Sequence, residues 1–223
     1  MKELIDKLYK QNTLHKDELC ALLDNLTAEN APYLFEKARS VADKNFGNRI
    51  YVRGLIEFTN YCKNDCFYCG IRKSNRNAQR YRLTKEEILS CCENGYSLGF
   101  RTFVLQGGED PFFTDDKIAD LVFSIKKAYP DCAVTLSVGE RSRESYARLR
   151  AAGADRYLLR HETADAGHFA KIHPGELSLE QRIRCLRDLK ELGYQVGCGF
   201  MVGSPYQTID SIVADLEFIK EFQ

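Results

Sequence analysis

Cys62-Lys63-Asn64-Asp65-Cys66-Phe67-Tyr68-Cys69 places three cysteines within eight residues, spaced C-x3-C-x2-C. No fourth cysteine follows nearby, whereas tetrahedral zinc sites and most iron–sulfur clusters take four protein ligands. Three thiolates in one short loop can hold three corners of a [4Fe–4S] cube. The fourth iron then stays open, and an open iron can bind a small molecule and react with it.

On either side of this loop the chain alternates extended and helical segments. The predicted strands are 51–58, 101–105, 133–138, 156–159 and 194–201, and the predicted helices that follow the loop are 84–98, 115–128, 142–151, 178–192 and 208–222. Five βα units in series favour parallel strands joined by right-handed crossovers. No G-x-G-x-x-G follows the first strand, so a dinucleotide-binding fold is a weaker alternative. We predict an α/β fold, a (β/α) barrel of the TIM type, with its active site in the polar loops after the strands.

The two ends of the sequence indicate where the barrel begins and how many of its βα units are present. Three short predicted helices, at 3–10, 15–24 and 28–44, form an N-terminal helical extension over residues 1–45, which leaves 46–223 as the core domain. The sequence stops directly after a predicted helix, where a sixth strand would be expected, and the strand at 194–201 would then keep an unpaired edge. We therefore expect a barrel that is truncated after about five βα units.

The composition excludes several classes of partner. The chain has 32 basic and 32 acidic residues, so its charge favours neither a nucleic acid nor an anionic membrane surface. No apolar run approaches the length of a membrane span, and the charged amphipathic start is not a signal peptide. Nine cysteines without an export signal indicate a reducing, cytoplasmic location.

The cysteines and histidines outside the loop give no second site at metal-ligand spacing. Free cysteine is commonly buried, so we expect six cysteines in the core, namely Cys20, Cys91, Cys92, Cys132, Cys185 and Cys198. Three histidines lack a partner at ligand spacing and are expected at the surface or in loops, namely His15, His168 and His173.

The cysteine spacing, with the aromatic Tyr68 before the third cysteine, resembles that of the radical S-adenosylmethionine (SAM) superfamily. The resemblance implies that Cys62, Cys66 and Cys69 ligate a [4Fe–4S] cluster and that the amino and carboxylate groups of SAM chelate the open iron. A reduced cluster would then break a C–S bond of SAM and give a 5′-deoxyadenosyl radical, chemistry that belongs to the cofactor. The alternative of another class is a non-catalytic zinc or iron–sulfur protein with a distant fourth ligand.

Two segments at predicted strand ends are candidates for binding SAM. Gly107-Gly108-Glu109 resembles the GGE motif of the superfamily, whose backbone binds the SAM amino group, and glycines at a strand end let the backbone approach a ligand closely. Glu162 follows the fourth predicted strand. A carboxylate there can accept hydrogen bonds from both hydroxyls of a ribose.

Two further positions complete the predicted SAM site. Arg182 lies in the first turns of the next predicted helix, where an arginine can pair with the SAM carboxylate through two hydrogen bonds. The segment Gly199–Gly203 resembles the G-x-I-x-G-x-x-E motif beside the adenine, with Met201 in the isoleucine position. Tyr206 stands where that motif ends in glutamate, so this part of the pattern departs from the superfamily.

From about Phe46 onward the chain also resembles the [FeFe]-hydrogenase maturases of the HydE family. The resemblance is carried by Arg53–Cys62, Tyr68–Asn75, Leu105–Asp110, Leu136–Glu140, Leu159–Thr163 and Met201–Pro205. It implies a complete (β/α)8 barrel around a closed cavity, and a small iron–cysteine complex carrying CO and cyanide as substrate. It makes Gln106, Thr135 and Arg156 substrate contacts and places Ser137 against SAM. Thr135 and Ser137 are two residues apart on one predicted strand and so share a face.

The same resemblance implies an electron donor such as a flavodoxin or ferredoxin, and other hydrogenase maturases as partners. Methylornithine synthase and biotin synthase have the same cysteine spacing and barrel, and they stay as alternatives. Biotin synthase needs further cluster ligands on barrel strands, for which Cys132 and Cys198 form no obvious set. The Arg72–Asn75 segment after the cysteines argues for the maturase over methylornithine synthase.

Overall fold

The computed structural model describes residues 1–222 of the chain. The helices are α1 (Lys2–Gln11), α2 (Lys16–Asp24), α3 (Ala31–Phe46), α4 (Lys85–Ser97), α5 (Asp115–Ala128), α6 (Arg143–Ala151), α7 (Ala166–Ile172), α8 (Leu179–Glu191) and α9 (Ile209–Phe222). The strands are β1 (Gly54–Thr59), β2 (Thr102–Gly107), β3 (Ala133–Ser137), β4 (Arg156–Leu158) and β5 (Gln195–Gly197). The chain divides into one unit of Val52–Met201 and a second unit formed by Met1–Tyr51 and the residues from Val202 onward.

The Val52–Met201 unit is built on a parallel sheet. Its strands follow one another in the order β1-β2-β3-β4-β5, and every neighbouring pair is parallel. Strands that are adjacent in sequence are therefore adjacent in space, as expected for a chain that repeats a βα unit. This arrangement confirms the predicted α/β class and the five parallel strands.

The two faces of the sheet differ in chemistry. One face is apolar and lies against the helices. The Phe103 ring of β2 packs so closely on Gly95 of α4 that a Cβ added to Gly95 would lie 2.9 Å from the ring. Tyr157 of β4 makes an edge-to-face contact with Tyr146 of α6. The alternate residues point to the opposite face because side chains alternate along a strand. That second face carries Leu55, which is 54% exposed, and the polar side chains described below.

Local signals in the sequence account for most element boundaries. The Thr84 hydroxyl accepts from the Glu87 backbone N–H, and the Glu87 carboxylate accepts from the Thr84 N–H, so the predicted capping box at the start of α4 is confirmed. At α8 only half of the predicted box forms: Ser178 accepts from Gln181 N–H, while the Gln181 side chain lies against Cys185.

Two expectations about the elements were wrong. Helix α7 was not predicted, because its seven residues are too few to show a helical period. Strand β5 spans Gln195–Gly197 rather than 194–201, and the two glycines that flank Cys198 weaken a strand at that point. No helix within residues 1–222 is both long and apolar enough to cross a bilayer.

The other unit is helical. Ile5, Leu14 and Leu22 form its buried cluster, and Leu8 and Leu34 pack against it. Helix α9 contacts α2, and Lys220 of α9 donates to the Thr13 hydroxyl at 2.7 Å. Pro32 lies in the first turn of α3, as predicted, where its missing N–H would have no intrahelical acceptor. The division of the chain at residue 45 into an extension and a core stays a prediction.

Truncating the apolar face of the sheet should destabilise the fold. Leu136 on β3 is fully buried, so we expect Leu136→Ala to lower the free energy of unfolding by about 2–5 kcal/mol. Leu98→Ala, at a side chain that is 78% exposed, should stay within about 0.5 kcal/mol of wild type. Denaturant titration followed by circular dichroism measures both, and equal effects would contradict this assignment of the core.

Candidate active site

The three predicted ligands lie on the loop that follows β1. Cys62, Cys66 and Cys69 are free thiols, each partly buried. Burial raises the pKa of Cys62, and it raises the pKa of Cys66 to about 11, with the neighbouring thiols adding to the effect. All three lie within eight residues of this one loop, and we call them the thiol cluster. Thiolates are the metal-binding form, so a bound cation would have to displace these protons.

This thiol cluster is not arranged around a single ion. Across residues 1–222, no group of three or more His, Cys, Asp or Glu side chains is placed to hold one metal ion. A zinc site needs its ligands to converge on one centre at about 2.0–2.3 Å. In an iron–sulfur cube, by contrast, each thiolate binds a different iron.

The Arg80 side chain holds the cysteine loop together by hydrogen bonds to its backbone. Its guanidinium donates to the backbone carbonyls of Ile71 and Arg72 at 2.8 and 2.7 Å, to that of Asn75 at 3.2 Å and to that of Asn60. One planar cation therefore satisfies carbonyls from both ends of the loop. Sequence reasoning missed this residue, because nothing in its spacing distinguishes it from a surface arginine.

Asp110 ties the two ends of the cysteine loop together. Its buried carboxylate accepts from the Thr59 hydroxyl at 2.7 Å and from the Arg82 guanidinium at 2.7 and 2.9 Å. Thr59 ends β1 and Arg82 follows the loop, so one side chain fixes both points. Burial alone would raise the pKa of Asp110, but the hydrogen bonds from Arg82 and Thr59 outweigh it and lower the pKa.

The two glycines of the predicted GGE motif allow β2 to end directly against the cysteine loop. A Cβ on Gly108 would lie 2.3 Å from the Tyr61 carbonyl oxygen and 2.7 Å from Cys62 Cβ. A Cβ on Gly107 would lie 2.6 Å from a methyl group of Thr59. All three distances are shorter than real Cβ contacts, so glycine is required here for packing as well as for the predicted approach of SAM.

Glu109 links the cysteine loop to the end of β3. Its carboxylate pairs with the Lys63 ammonium at 3.1 Å and accepts from the Glu140 N–H at 3.0 Å. Its carbonyl accepts from the Lys63 N–H at 3.0 Å. Gly139 leaves room for this side chain, since a Cβ there would lie 2.1 Å from Glu109 Cγ. The carboxylate is therefore occupied by protein donors.

Glu162 is placed differently. It follows β4 with φ of +67°, which is uncommon for a residue with a side chain. Its N–H donates to the Gly199 carbonyl, and its carbonyl accepts from Met201 N–H at 3.0 Å, so Met201 lies beside it. The side chain is 11% exposed, with Arg160 at 3.3 Å from Oε2.

The carboxylate of Glu162 has capacity left for a ligand. Oε2 is buried and accepts no hydrogen bond, and burial raises the pKa of the carboxyl against the opposing effect of Arg160 and Arg182. The ion pair with Arg160 offsets part of the cost of burying this oxygen, and a ligand hydroxyl can supply the hydrogen bond that it lacks. This oxygen therefore fits the diol predicted for it.

Arg182 is a buried cation near the thiols. It donates to the Glu140 carboxylate at 2.5 Å and to the Arg160 carbonyl at 2.6 Å. It lies close enough to influence the pKa of Cys66 and of Tyr68. If Arg182 also pairs with a SAM carboxylate, as predicted, its guanidinium would bind that carboxylate and Glu140 at the same time.

The predicted substrate residues share the polar face of the sheet. Pairing between strands places Gln106 beside Ser137 and Thr135 beside Arg156. The Thr135 hydroxyl is buried and makes no hydrogen bond. Gln106 donates to Glu57 at 3.2 Å, and Arg156 donates to its neighbours Gln195 and Thr102.

Several expectations about isolated cysteines and histidines were wrong. His168 is buried within helix α7 and so lies neither at the surface nor in a loop, because tertiary contacts that no local pattern reveals enclose it. His15 is exposed and His173 lies in the loop after α7, as expected, although the His173 side chain is buried. Cys91 is exposed on α4, and Cys20 and Cys198 are only partly buried. The remaining three, Cys92, Cys132 and Cys185, lie in the core as expected.

Comparison with known families identifies the pattern. Residues 56–219 match the Radical SAM superfamily. The chain is 46% identical over 220 residues to the [FeFe] hydrogenase maturase subunit HydE of Thermotoga maritima, covering 99% of this chain and 62% of that protein. It is 32% identical to 3-methylornithine synthase of Methanosarcina barkeri, covering 89% of this chain and 56% of that protein. The chain thus spans about three fifths of the length of these relatives.

Solved structures show the same relationship. The crystal structure of methylornithine synthase (PylB) superposes with a TM-score of 0.90 at 31% identity, covering 99% of this chain and 65% of that one. The structure of HydG, a maturase of the [FeFe]-hydrogenase, superposes with a TM-score of 0.85 at 27% identity, covering 98% of this chain and 51% of that one.

Adding a methyl group at Gly108 should displace the cysteine loop. We expect Gly108→Ala to reduce the iron bound after anaerobic reconstitution by about tenfold or more. Substitutions of residues that position metal ligands commonly lower metal affinity by this amount. Gly70→Ala is the matched control in the same loop, because its Cβ would meet nothing within 4 Å. Iron and sulfide analysis measures both variants. Wild-type iron content in Gly108→Ala would contradict the close approach.

Removing the Asp110 charge should loosen the loop in a pH-dependent way. We expect Asp110→Asn to lose about 1–3 kcal/mol of stability at pH 7. Because the folded pKa of Asp110 is lowered, this contribution is fully present above the usual pKa of about 3.9 and disappears as the pH falls through the lower folded value.

Asp120→Asn serves as the control, because Asp120 is 56% exposed and pairs with Lys85 at the surface. It should change stability by less than about 0.5 kcal/mol. Denaturant titrations between pH 3 and pH 8 give the comparison. A difference between wild type and Asp110→Asn that persists unchanged at pH 3 would refute the assigned role of the carboxylate.

Proposed function

The chain belongs to the radical SAM superfamily, and on that premise we propose that Cys62, Cys66 and Cys69 hold a [4Fe–4S] cluster that binds SAM through an open iron. We further propose that the protein acts in [FeFe]-hydrogenase maturation as a HydE-type enzyme. Its substrate would be a small iron–cysteine complex carrying CO and cyanide.

One observation carries the cofactor assignment. Three thiols lie on one short loop that Asp110, Gly108 and Glu109 fasten to the carboxyl ends of β1 and β2. The carboxyl end of a parallel α/β sheet is where barrel enzymes carry their active sites. The residues present therefore fit a cluster with three protein ligands, and the buried Oε2 of Glu162 at the end of β4 fits a hydroxylated ligand next to it.

When bound, the cluster and SAM supply reductive cleavage of a C–S bond and a 5′-deoxyadenosyl radical. The protein positions the reactants. Glu162 accepts hydrogen bonds from the ribose hydroxyls, and Arg182, held by Glu140, orients the SAM carboxylate and offsets negative charge at the thiolates. Gly107 and Gly108 bring backbone groups to the SAM amino group. Tyr68, Met201 and Ser137 complete the contacts with SAM.

The substrate would lie against the polar face of the sheet. The Thr135 hydroxyl is buried without a hydrogen bond, and a buried hydroxyl is satisfied when a ligand supplies a partner. Arg156 stands beside it in the sheet and can bind an anionic complex. Gln106 precedes Gly107 at the end of β2 and would contact the substrate from there.

Methylornithine synthesis is the second candidate reaction, because the PylB structure superposes with a TM-score of 0.90 over 99% of this chain. We favour the maturase because identity to the HydE sequence, 46%, exceeds the 32% to 3-methylornithine synthase. Incubation with each candidate substrate, with products identified by mass spectrometry, separates the two reactions.

The proposed activity also determines the partners. Cluster reduction requires an electron donor such as a flavodoxin or ferredoxin, and delivery of the product requires other hydrogenase maturases. Residues 1–222 contain nine free cysteines, which suits the reducing cytoplasm.

Anaerobic reconstitution with iron and sulfide tests the proposal. We expect the reduced protein to give an EPR signal that changes when SAM is added, with dithionite-dependent formation of 5′-deoxyadenosine. Alanine at Cys62, Cys66 or Cys69 should abolish both. Cys91→Ala should keep both, because Cys91 is an exposed cysteine on α4. A cluster that SAM does not affect, in the chain extended to the full length of its relatives, would contradict the proposal and favour a non-catalytic cluster.

A further inference from the structure

Tyr68, between the second and third cysteines, is bound by a buried histidine. Its hydroxyl lies 3.1 Å from Nε2 of His173, and the two rings meet edge to face with centroids 5.3 Å apart. His173 directly follows α7 and is 2% exposed. Neither the superfamily motif nor the proposed SAM contacts include His173.

The direction of this hydrogen bond follows from the other ring nitrogen. Nδ1 of His173 lies 3.1 Å from the Phe169 carbonyl oxygen, which can only accept, so Nδ1 carries the hydrogen. A neutral imidazole then has a free lone pair on Nε2, and the Tyr68 hydroxyl donates to it. Burial lowers the pKa of His173 to about 4, and the nearby cation of Arg182 adds to this effect, so the ring is neutral at pH 7.

The end of α7 also holds the backbone next to Tyr68. Phe67 N–H donates to the Ile172 carbonyl at 3.1 Å. Two consecutive loop residues, 67 and 68, thus bind two consecutive residues, 172 and 173. The His173 ring is fixed in turn by stacking on Phe169, with centroids 3.8 Å apart. The Cys66–Cys69 turn is therefore docked on a rigid support.

The hydroxyl has a second possible partner. Cys66 lies two residues before Tyr68 in the same turn, near enough for the Tyr68 side chain to influence the pKa of Cys66, and a phenol has one proton to donate. While Nε2 of His173 takes that proton, the hydroxyl cannot donate it to Cys66. Hydrogen bonds to cluster sulfurs raise the reduction potential of iron–sulfur clusters.

We propose that His173 is a positioning residue that directs the Tyr68 hydroxyl away from Cys66 and thereby keeps the cluster potential low. This inference rests on the proposed function and extends it, because a low potential makes electron transfer to SAM more favourable. Without an acceptor at Nε2, the Tyr68 hydroxyl turns to the Cys66 thiolate and the cluster becomes easier to reduce and a weaker reductant.

The test compares two substitutions of His173. His173→Asn keeps a polar group near Nδ1 and removes the acceptor, whereas His173→Gln can place its amide oxygen where Nε2 was. We expect the midpoint potential from EPR-monitored redox titration to become more positive in His173→Asn and to stay at the wild-type value in His173→Gln. Tyr68→Phe/His173→Asn should show no shift relative to Tyr68→Phe, because the donor is gone.

Other outcomes would overturn the inference. If His173→Asn lowers the melting temperature and leaves the potential unchanged, His173 is structural only. If the shift persists in the double variant, the Tyr68 hydroxyl does not cause it. Failure of wild type to bind a cluster or respond to SAM would instead refute the proposed function.

A measurement on the cluster-free protein covers the case in which His173→Asn does not fold. ¹⁵N NMR of wild type should show Nε2 of His173 unprotonated from pH 6 to pH 8, with its shift changing in Tyr68→Phe. A protonated Nε2, or no response to Tyr68→Phe, would contradict the hydrogen bond from which the inference starts.

Discussion

The active-site geometry depends on how the cysteine loop is fastened to the sheet. The buried Asp110 carboxylate binds Thr59 at the start of the loop and Arg82 at its end, while Gly108 lets β2 end within contact of Cys62. Hydrogen bonds to a charged group are worth about 1.5–3 kcal/mol each in proteins, so these bonds contribute substantially to holding the two ends of the loop in place. The thiols are therefore held in place by groups that are not themselves ligands.

Charge at this edge of the sheet serves mainly to hold strand ends together. Glu109 joins the loop to β3 through Lys63 and Glu140 N–H, and Arg182 joins Glu140 to the end of β4. Glu162 differs, since one of its oxygens is buried without a hydrogen bond. The same contrast separates Thr135 from Gln106 and Arg156 on the polar face. Groups left open in an otherwise satisfied network are where ligands are expected.

The sequence was sufficient for the order and direction of the strands, because strand and helix periods alternate clearly and parallel connections follow simple rules. The cysteine spacing was sufficient to locate the thiol cluster. What local patterns could not supply were contacts between distant residues. Tyr68 and His173 are 105 positions apart, and Arg80 looks like a surface residue until its carbonyl partners are seen. Those contacts also decide burial, which explains why His168, expected at the surface or in a loop, is buried within α7.

The central claim is that three cysteines on this fastened loop leave one iron of a cube open. Mössbauer spectroscopy of protein reconstituted with ⁵⁷Fe tests it most directly, because each iron reports its own coordination. If the fourth iron is open, adding SAM changes the parameters of one iron in four and leaves the other three unchanged. Four irons that are equivalent with and without SAM would show a fully ligated cluster and would contradict the account.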